Sequence, residues 1–203
     1  MRKFIWLNPV VTKMYVNETL EKYLVEKGYE PVSCREDHIA AVKGKYRSAL
    51  DRARTCIADV RCPMAVDYIK EVYSPDFLEF PPIEPILIHC ARELHKRLSG
   101  QGALWIITPC KALSDLGSRI GLPETSFCTW KEFARLENIP LLGKKLADSP
   151  IPPGFFSGHE EQVVVLDDRE KIDLYFSSIN RKSEKGIVEL LYCSRGCHHG
   201  DGV

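Results

Sequence analysis

Apolar residues at the start of the chain change from a continuous run to helical spacing and back. Residues 3–7 form a short apolar run that predicts a buried strand. Between Asn17, a favoured helix N-cap, and Gly28, a favoured helix end, apolar residues recur at helical spacing. Residues 31–34 then predict a second strand. This strand, helix and strand order predicts a β-α-β unit with parallel strands.

The middle of the chain predicts three helices and one strand. Residues 43–54 are mostly charged or small and favour a polar helix. Apolar residues recur at helical spacing after Pro63, a residue favoured in a first helical turn, and again over residues 87–98. Residues 103–107 form a short apolar run that predicts another buried strand.

The last third predicts a second β-α-β unit after a proline-rich stretch. Residues 121–160 carry several prolines around one short helical stretch, which favours a long excursion or a boundary between lobes. Strands are predicted over residues 162–166 and 187–192, with a helix capped by Asp168 between them. We therefore predict an α/β fold in which two β-α-β lobes, with mostly parallel sheets flanked by helices, make one domain over residues 1–203. The lobes are expected to span roughly residues 1–122 and 123–203.

Composition and charge exclude several classes of protein. The 28 lysines and arginines balance 28 aspartates and glutamates, so a surface that binds nucleic acid is not expected. The longest apolar runs are about five residues, against about 20 needed to cross a bilayer, so no membrane insertion is expected. The N-terminal residues lack the pattern of a secretion signal. A cytoplasmic location is the expectation.

Cysteine is the unusual residue, since the chain contains eight. Thiols are kept reduced in the cytosol, so metal or catalytic ligands are expected in preference to disulfides. Four of the cysteines follow predicted strands or precede helices: Cys62, Cys110, Cys193 and Cys197. Four thiolates in tight turns suit either a tetrahedral zinc ion or a 4Fe-4S cluster. A helix beginning after Cys62 would favour its thiolate by about 0.3–1 kcal/mol.

Three ordered segments resemble the catalytic domain of the iron-only hydrogenases. The family has a Cys-Cys-Pro segment, a Pro-Cys-x-x-Lys segment and a Glu-x-x-x-Cys-x-x-Gly-Cys segment. The chain has Arg61-Cys62-Pro63, Pro109-Cys110-Lys111 and a stretch from Glu189 to Cys197 in the corresponding places. The resemblance covers nearly the whole chain and implies that Cys62, Cys110, Cys193 and Cys197 bind a 4Fe-4S cluster between the two lobes.

The chain departs from this family at the residues that serve its diiron unit. Arg61 stands where the family has its proton-transferring cysteine, and an arginine does not accept a proton at neutral pH. Leu113 replaces a lysine, and Thr108 and Tyr192 replace methionines. We therefore expect the 4Fe-4S cluster without the diiron unit.

Three functions remain open at this point. The first is an iron-sulfur protein for electron transfer, redox sensing or cluster handling, with a ferredoxin or a reductase subunit as its redox partner. The second is an iron-sulfur oxidoreductase, such as a minimal hydrogenase, with replacement catalytic groups. The third is a structural zinc module.

Residues near the four cysteines are candidates for tuning the site. The candidate neighbours of the cluster are Arg61, Glu84, Cys56, His198 and His199. Arg61 would neutralise cluster charge, or else be an ordinary surface arginine. Cys34, Cys90 and Cys128 have no counterpart in the family segments, and we expect them to be small core residues.

Overall fold

The computed structural model describes residues 1–15, 17–141, 143–151, 153–157, 163–178 and 185–203. Its strands and helices in chain order are β1 (Arg2–Leu7), α1 (Pro9–Met14), α2 (Asn17–Glu26), β2 (Tyr29–Pro31), α3 (His38–Arg52), β3 (Cys56–Ala58), α4 (Pro63–Val72), β4 (Leu78–Glu79), α5 (Ile86–Leu98), β5 (Gly102–Thr108), α6 (Lys111–Arg119), β6 (Thr125–Thr129), α7 (Trp130–Glu137), β7 (Val163–Leu166), α8 (Arg169–Ser177) and β8 (Ile187–Leu190).

These elements form two units that alternate along the chain. Unit 1 comprises Met1–Glu36, Leu87–Ile151 and Cys197–Val203, and unit 2 comprises Asp37–Ile86 and Pro152–Gly196. Each unit has its own four-stranded sheet, and every strand pair among the described residues is parallel.

The sheet of unit 1 has the strand order β2-β1-β5-β6 and is buried on both faces. Successive residues of a strand point to opposite faces, and Phe4 and Ile5 are 1% and 0% exposed. Phe4 belongs to a core cluster with the apolar face of α5, whereas Ile5 packs in a second cluster that includes Trp130 and Phe133 of α7. Burial on both faces explains why β1 and β5 read as continuous apolar runs.

The sheet of unit 2 has the order β4-β3-β8-β7 and also lies between two sets of helices. On one side Ala58 and Val188 belong to a cluster with residues of α4 and α8. On the other side Ile57 and Ile187 belong to a cluster with residues of α3. The central strands β3 and β8 are therefore the buried middle of this unit.

The predicted fold class is confirmed: the protein is α/β, with two four-stranded parallel sheets flanked by helices. Both predicted β-α-β units are present, since β1 pairs with β2 and β7 pairs with β8 in parallel. Within the described part of the chain, no helix combines the length and the apolarity that a bilayer crossing requires.

Several elements differ from the sequence prediction. The second strand lies at Tyr29–Pro31 rather than over residues 31–34, because the buried Tyr29 side chain fixes the register opposite Lys3. Helix α3 begins at His38, earlier than predicted, because the Asp37 carboxylate accepts a hydrogen bond from the Ala40 N–H and caps it. The short strands β3, β4 and β6 were not predicted.

The predicted lobe boundary also differs from the observed units. Residues 122 and 123 lie inside unit 1, between α6 and β6, and β6 pairs with β5 of the same sheet. The physical reason is that β6, near the start of the proline-rich stretch, pairs with β5, and the chain leaves unit 1 only later in that stretch, after Ile151. The prediction of a single domain remains a prediction. Gln162, the first residue of the predicted strand over residues 162–166, lies outside the described residues, as does the side chain of the predicted N-cap Asn17.

Candidate metal centres

Two of the predicted ligands, Cys62 and Cys193, lie in unit 2. Cys62 occupies the N-cap position of α4, and Pro63 follows in its first turn. The Cys62 thiol accepts hydrogen bonds from the backbone N–H groups of Tyr192 and Ala65. Withdrawal from water raises the pKa of Cys62, and these two N–H groups oppose that rise. Cys62 is thus held beside the residue that immediately precedes Cys193.

A tight turn after β8 carries Cys193. The Gly196 N–H donates to the Cys193 carbonyl at 3.0 Å, and the Arg195 N–H donates to the Asp167 carbonyl at 2.9 Å. Arg195 and Gly196 have φ angles of 58° and 124°, in the region that favours glycine. The glycine of the predicted Cys-x-x-Gly-Cys segment therefore has a conformational role in this turn.

The other two predicted ligands, Cys110 and Cys197, lie in unit 1. Cys110 is the N-cap residue of α6 and follows the buried strand β5, and it is 8% exposed. Cys197 begins a single turn of 3-10 helix, Cys197–His199, near the end of the chain.

Backbone contacts hold the turn after Cys197 against the segment that carries Cys110. The Gly202 N–H donates to the Pro109 carbonyl at 3.2 Å, and the Asp201 carboxylate accepts from the Lys111 N–H at 2.9 Å. A Cβ atom added to Gly200 would lie 2.3 Å from the Pro109 carbonyl oxygen, which only a glycine avoids without a shift of backbone.

The set of four ligands therefore divides equally between the units. Cys62 and Cys193 come from neighbouring segments of unit 2, and Cys110 and Cys197 come from neighbouring segments of unit 1. Their joint binding of one cluster stays a prediction.

Arg61, next to Cys62, is a buried residue with anionic partners inside unit 2. Its side chain is 8% exposed, which contradicts the interpretation as a surface arginine. The guanidinium lies 2.6 Å from the Asp59 carboxylate and 3.2 Å from the Glu189 carboxylate. It also stacks 3.7 Å from the ring centre of Phe155. The charge of Arg61 is thus shared with two carboxylates, and its predicted influence on a cluster stays a prediction.

The two carboxylates around Arg61 are fully buried. The side chains of Asp59 and Glu189 are both 0% exposed. Glu189 Oε1 also accepts from the backbone N–H groups of Gly154 and Phe155 at 3.0 Å. Among the described residues, Glu189 Oε2 has no hydrogen-bond partner. Within the part of the chain that the structure describes, both buried carboxylates are thus paired with the Arg61 guanidinium.

The other residues predicted to lie near the cluster are found in three different parts of the structure. Cys56 begins β3 and is buried in the core cluster that also contains Ala65 and Ile69. Glu84 lies in the partly exposed segment between β4 and α5. The ring centres of His198 and His199 lie 3.9 Å apart, with the ring planes inclined by 33°. The roles predicted for these residues toward a cluster stay predictions.

Two cysteines for which the sequence predicted no site, Cys34 and Cys90, lie close together in unit 1. Their sulfur atoms lie within 4.8 Å of each other. Cys34 follows β2, and Cys90 lies in α5. The Cys90 thiol donates a hydrogen bond to Cys34 and lowers the pKa of Cys34.

Sequence reasoning missed this pair, because Cys34 and Cys90 are far apart in the chain and no local motif connects them. Cys90 is buried as predicted, yet its thiol faces Cys34. Cys128, the third cysteine predicted to be a core residue, lies on β6, where burial raises the pKa of its thiol to about 12.

A comparison with protein-family models and a search among curated proteins find no match to this chain.

Proposed function

We propose that the protein binds one 4Fe-4S cluster through Cys62, Cys110, Cys193 and Cys197 and acts in electron transfer, redox sensing or cluster handling. The observation that carries the proposal is the placement of these thiols after buried parallel strands, at helix N-caps or in tight turns. Cys62 and Cys193 follow β3 and β8, which are paired neighbours, so both thiols belong to the same edge of that sheet. Binding sites are built at such edges in α/β proteins.

The chemistry of the donors also fits an iron-sulfur cluster. Cysteine thiolates are the usual ligands of such clusters, and backbone N–H groups that donate to the sulfurs adjust their reduction potential. The N–H groups of Ala65 and Tyr192 already donate to Cys62. When bound, the cluster would supply reversible one-electron transfer. The protein groups would hold it and shield it from water.

Arg61 favours electron transfer over catalysis by a minimal hydrogenase. Its guanidinium is bonded to Asp59 and Glu189 and carries no lone pair that could accept a proton. The proposal therefore includes no turnover of hydrogen. It also includes a ferredoxin or a reductase subunit as the redox partner, and a cytoplasmic location.

The first experiment is an analysis of protein purified without oxygen. We expect about four irons and four sulfides per chain, as one 4Fe-4S cluster requires, and no infrared bands of metal-bound CO or cyanide. Additional iron with such bands would show a diiron unit and favour the oxidoreductase. A colourless protein that contains zinc but no sulfide would favour the structural zinc module.

Single substitutions then identify the ligands. We expect Cys62→Ser, Cys110→Ser, Cys193→Ser and Cys197→Ser each to remove most of the iron. Cys128→Ser is the matched control, because this thiol lies in β6 outside the four segments. Full iron content in either Cys110→Ser or Cys197→Ser would contradict the ligand set.

A further inference from the structure

Two thiols of unit 1, Cys34 and Cys90, lie close together near the points where the chain leaves and re-enters that unit. Their sulfur atoms lie within 4.8 Å of each other. The first segment of unit 1 ends at Glu36 and the second begins at Leu87, so Cys34 stands just before the exit and Cys90 just after the return. A disulfide requires an S–S distance of about 2.05 Å, and rotation of both side chains about their Cα–Cβ bonds can bring the sulfurs together.

Side chains of α5 hold the loop that carries Cys34 against the helix that carries Cys90. The Glu93 carboxylate accepts a hydrogen bond at 3.0 Å from the backbone N–H of the residue after Cys34. Arg97 donates a hydrogen bond at 2.6 Å to the carbonyl of the residue before Cys34. Glu93 and Arg97 follow Cys90 by three and seven residues in α5, which places all three on one face of the helix. The loop is therefore bound on both sides of Cys34 to the face that presents Cys90.

The two thiols differ in their access to solvent and in their acidity. Cys34 is partly exposed, whereas Cys90 is 6% exposed. The hydrogen bond that the Cys90 thiol donates to Cys34 lowers the pKa of Cys34 and raises the pKa of Cys90. A thiolate is the attacking species in thiol–disulfide exchange. Cys34 is therefore the thiol that meets an external reagent, and Cys90 is the thiol that reacts second.

From this arrangement we propose that Cys34 and Cys90 form a reversible redox pair, which a low-molecular-weight disulfide such as oxidised glutathione converts into an intramolecular disulfide. The Cys34 thiolate attacks one sulfur of the small disulfide, whose S–S bond breaks and releases one thiolate, which takes up a proton. Cys90 then loses its proton to solvent and attacks the Cys34 sulfur, and the second small thiolate leaves and is protonated. Two thiols of the protein are thus oxidised to one disulfide, and the small disulfide is reduced to two thiols.

A reversible pair of this kind fits the proposed cytoplasmic location. Disulfides in cytosolic proteins are usually transient and serve catalysis or redox sensing. The oxidised form joins the loop after β2 to α5, so oxidation ties together the exit and the return of the chain on unit 1. The proposal goes beyond the iron-sulfur cluster and does not depend on it.

The test incubates the reduced full-length chain without oxygen at varied ratios of reduced to oxidised glutathione and identifies linked peptides by mass spectrometry. Trypsin cleaves after lysine and arginine, so Cys34 and Cys90 fall in the separate peptides 28–35 and 71–92, each with a single cysteine. We expect these two peptides to become linked in most chains as the share of oxidised glutathione rises. Dithiothreitol should separate them again.

Single substitutions separate the two steps of the exchange. Cys90→Ser should retain one glutathione on Cys34, because the thiol that resolves the mixed disulfide is gone; circular dichroism checks its fold. Cys34→Ser should prevent the link and leave Cys90 unmodified, because Cys90 is buried. Cys128→Ser is the matched control and should form the link as the wild type does, since burial raises the pKa of Cys128 to about 12. Iron and sulfide should not change in Cys34→Ser, so a failure of this pair is distinguishable from a failure of the cluster.

Three results would overturn the proposal. One is wild-type protein in which peptides 28–35 and 71–92 stay unlinked at every glutathione ratio. Another is a link of equal yield between Cys34 and Cys128. The third is Cys90→Ser protein that has the circular dichroism of the wild type but carries no glutathione on Cys34.

Discussion

The role of the Arg61 side chain depends on the residues that it contacts. The sequence shows an arginine next to a predicted ligand, but its charge is opposed by Asp59 and Glu189, both fully buried. Burying a charged group is unfavourable unless it has a partner of opposite charge. Removing one member of a buried ion pair therefore leaves the other charge buried without compensation. We therefore expect Arg61 to stabilise unit 2, whatever it does for a cluster.

We expect Arg61→Met to destabilise the protein by about 3–5 kcal/mol, because it leaves two buried carboxylates without their cation. Unfolding by urea, followed by circular dichroism, measures the change. Arg2→Met is the matched control, since Arg2 forms a similarly short pair with Glu30 but the two side chains are 56% and 50% exposed. That variant should lose less than about 1 kcal/mol. Equal losses in the two variants would contradict the role assigned to Arg61.

At the scale of an element, the short turns carry more of the candidate site than the helices and strands do. The segment that follows Cys197 makes a hydrogen bond to the Pro109 carbonyl through Gly202 and passes close to the same carbonyl at Gly200. The helix α6 fixes Cys110, and this close contact, together with the bond from the Lys111 N–H to the Asp201 carboxylate, fixes the segment that follows Cys197. A glycine is required there because of the space available rather than its φ angle.

Gly200→Ala should therefore displace the turn that follows Cys197. Its added Cβ would lie 2.3 Å from the Pro109 carbonyl oxygen, a backbone atom that cannot move aside without moving Cys110 as well. We expect the variant to lose stability and, if the proposed cluster is correct, to retain less iron. The control is Gly44→Ala in α3, where the added Cβ meets no atom within 4 Å. That substitution should be neutral or stabilising by up to about 1 kcal/mol. An unchanged melting temperature and iron content in Gly200→Ala would contradict this expectation.

At the scale of the whole molecule, each unit is assembled from segments that are distant in the chain. Unit 1 uses three segments and unit 2 uses two. The strand β3 lies between β4 and β8, so the centre of the second sheet combines residues near 57 with residues near 187. Such long-range pairing makes each sheet depend on both halves of the sequence.

The fragment of residues 1–122 should accordingly fail to fold by itself. It lacks β6 and α7 of unit 1, and it lacks both β7 and β8 of unit 2. We expect no cooperative thermal transition in this fragment, in contrast to the full chain. Mixing it with a fragment of residues 123–203 provides the comparison. A cooperative transition in the isolated first fragment would show that the predicted lobes are independent after all.

The sequence by itself determined the class of fold, most of the helices and the strongest strands. Buried parallel strands such as β1 and β5 are continuous apolar runs, and helices such as α5 have one apolar face, so local patterns were sufficient to find them. Short strands such as β4 carry too few residues for a pattern, and their existence depends on partners elsewhere in the chain.

The sequence also determined which turns carry thiols, because cysteines next to proline and glycine are visible without any structure. The tertiary structure decided what the sequence could not. It decided that Arg61 is buried between two carboxylates, that segments of the two units alternate along the chain, and that Cys90 faces Cys34. Each of these depends on residues far apart in the chain. The local spacing of apolar residues does not show which distant residues meet in space. That is determined only by how the helices pack on the sheets.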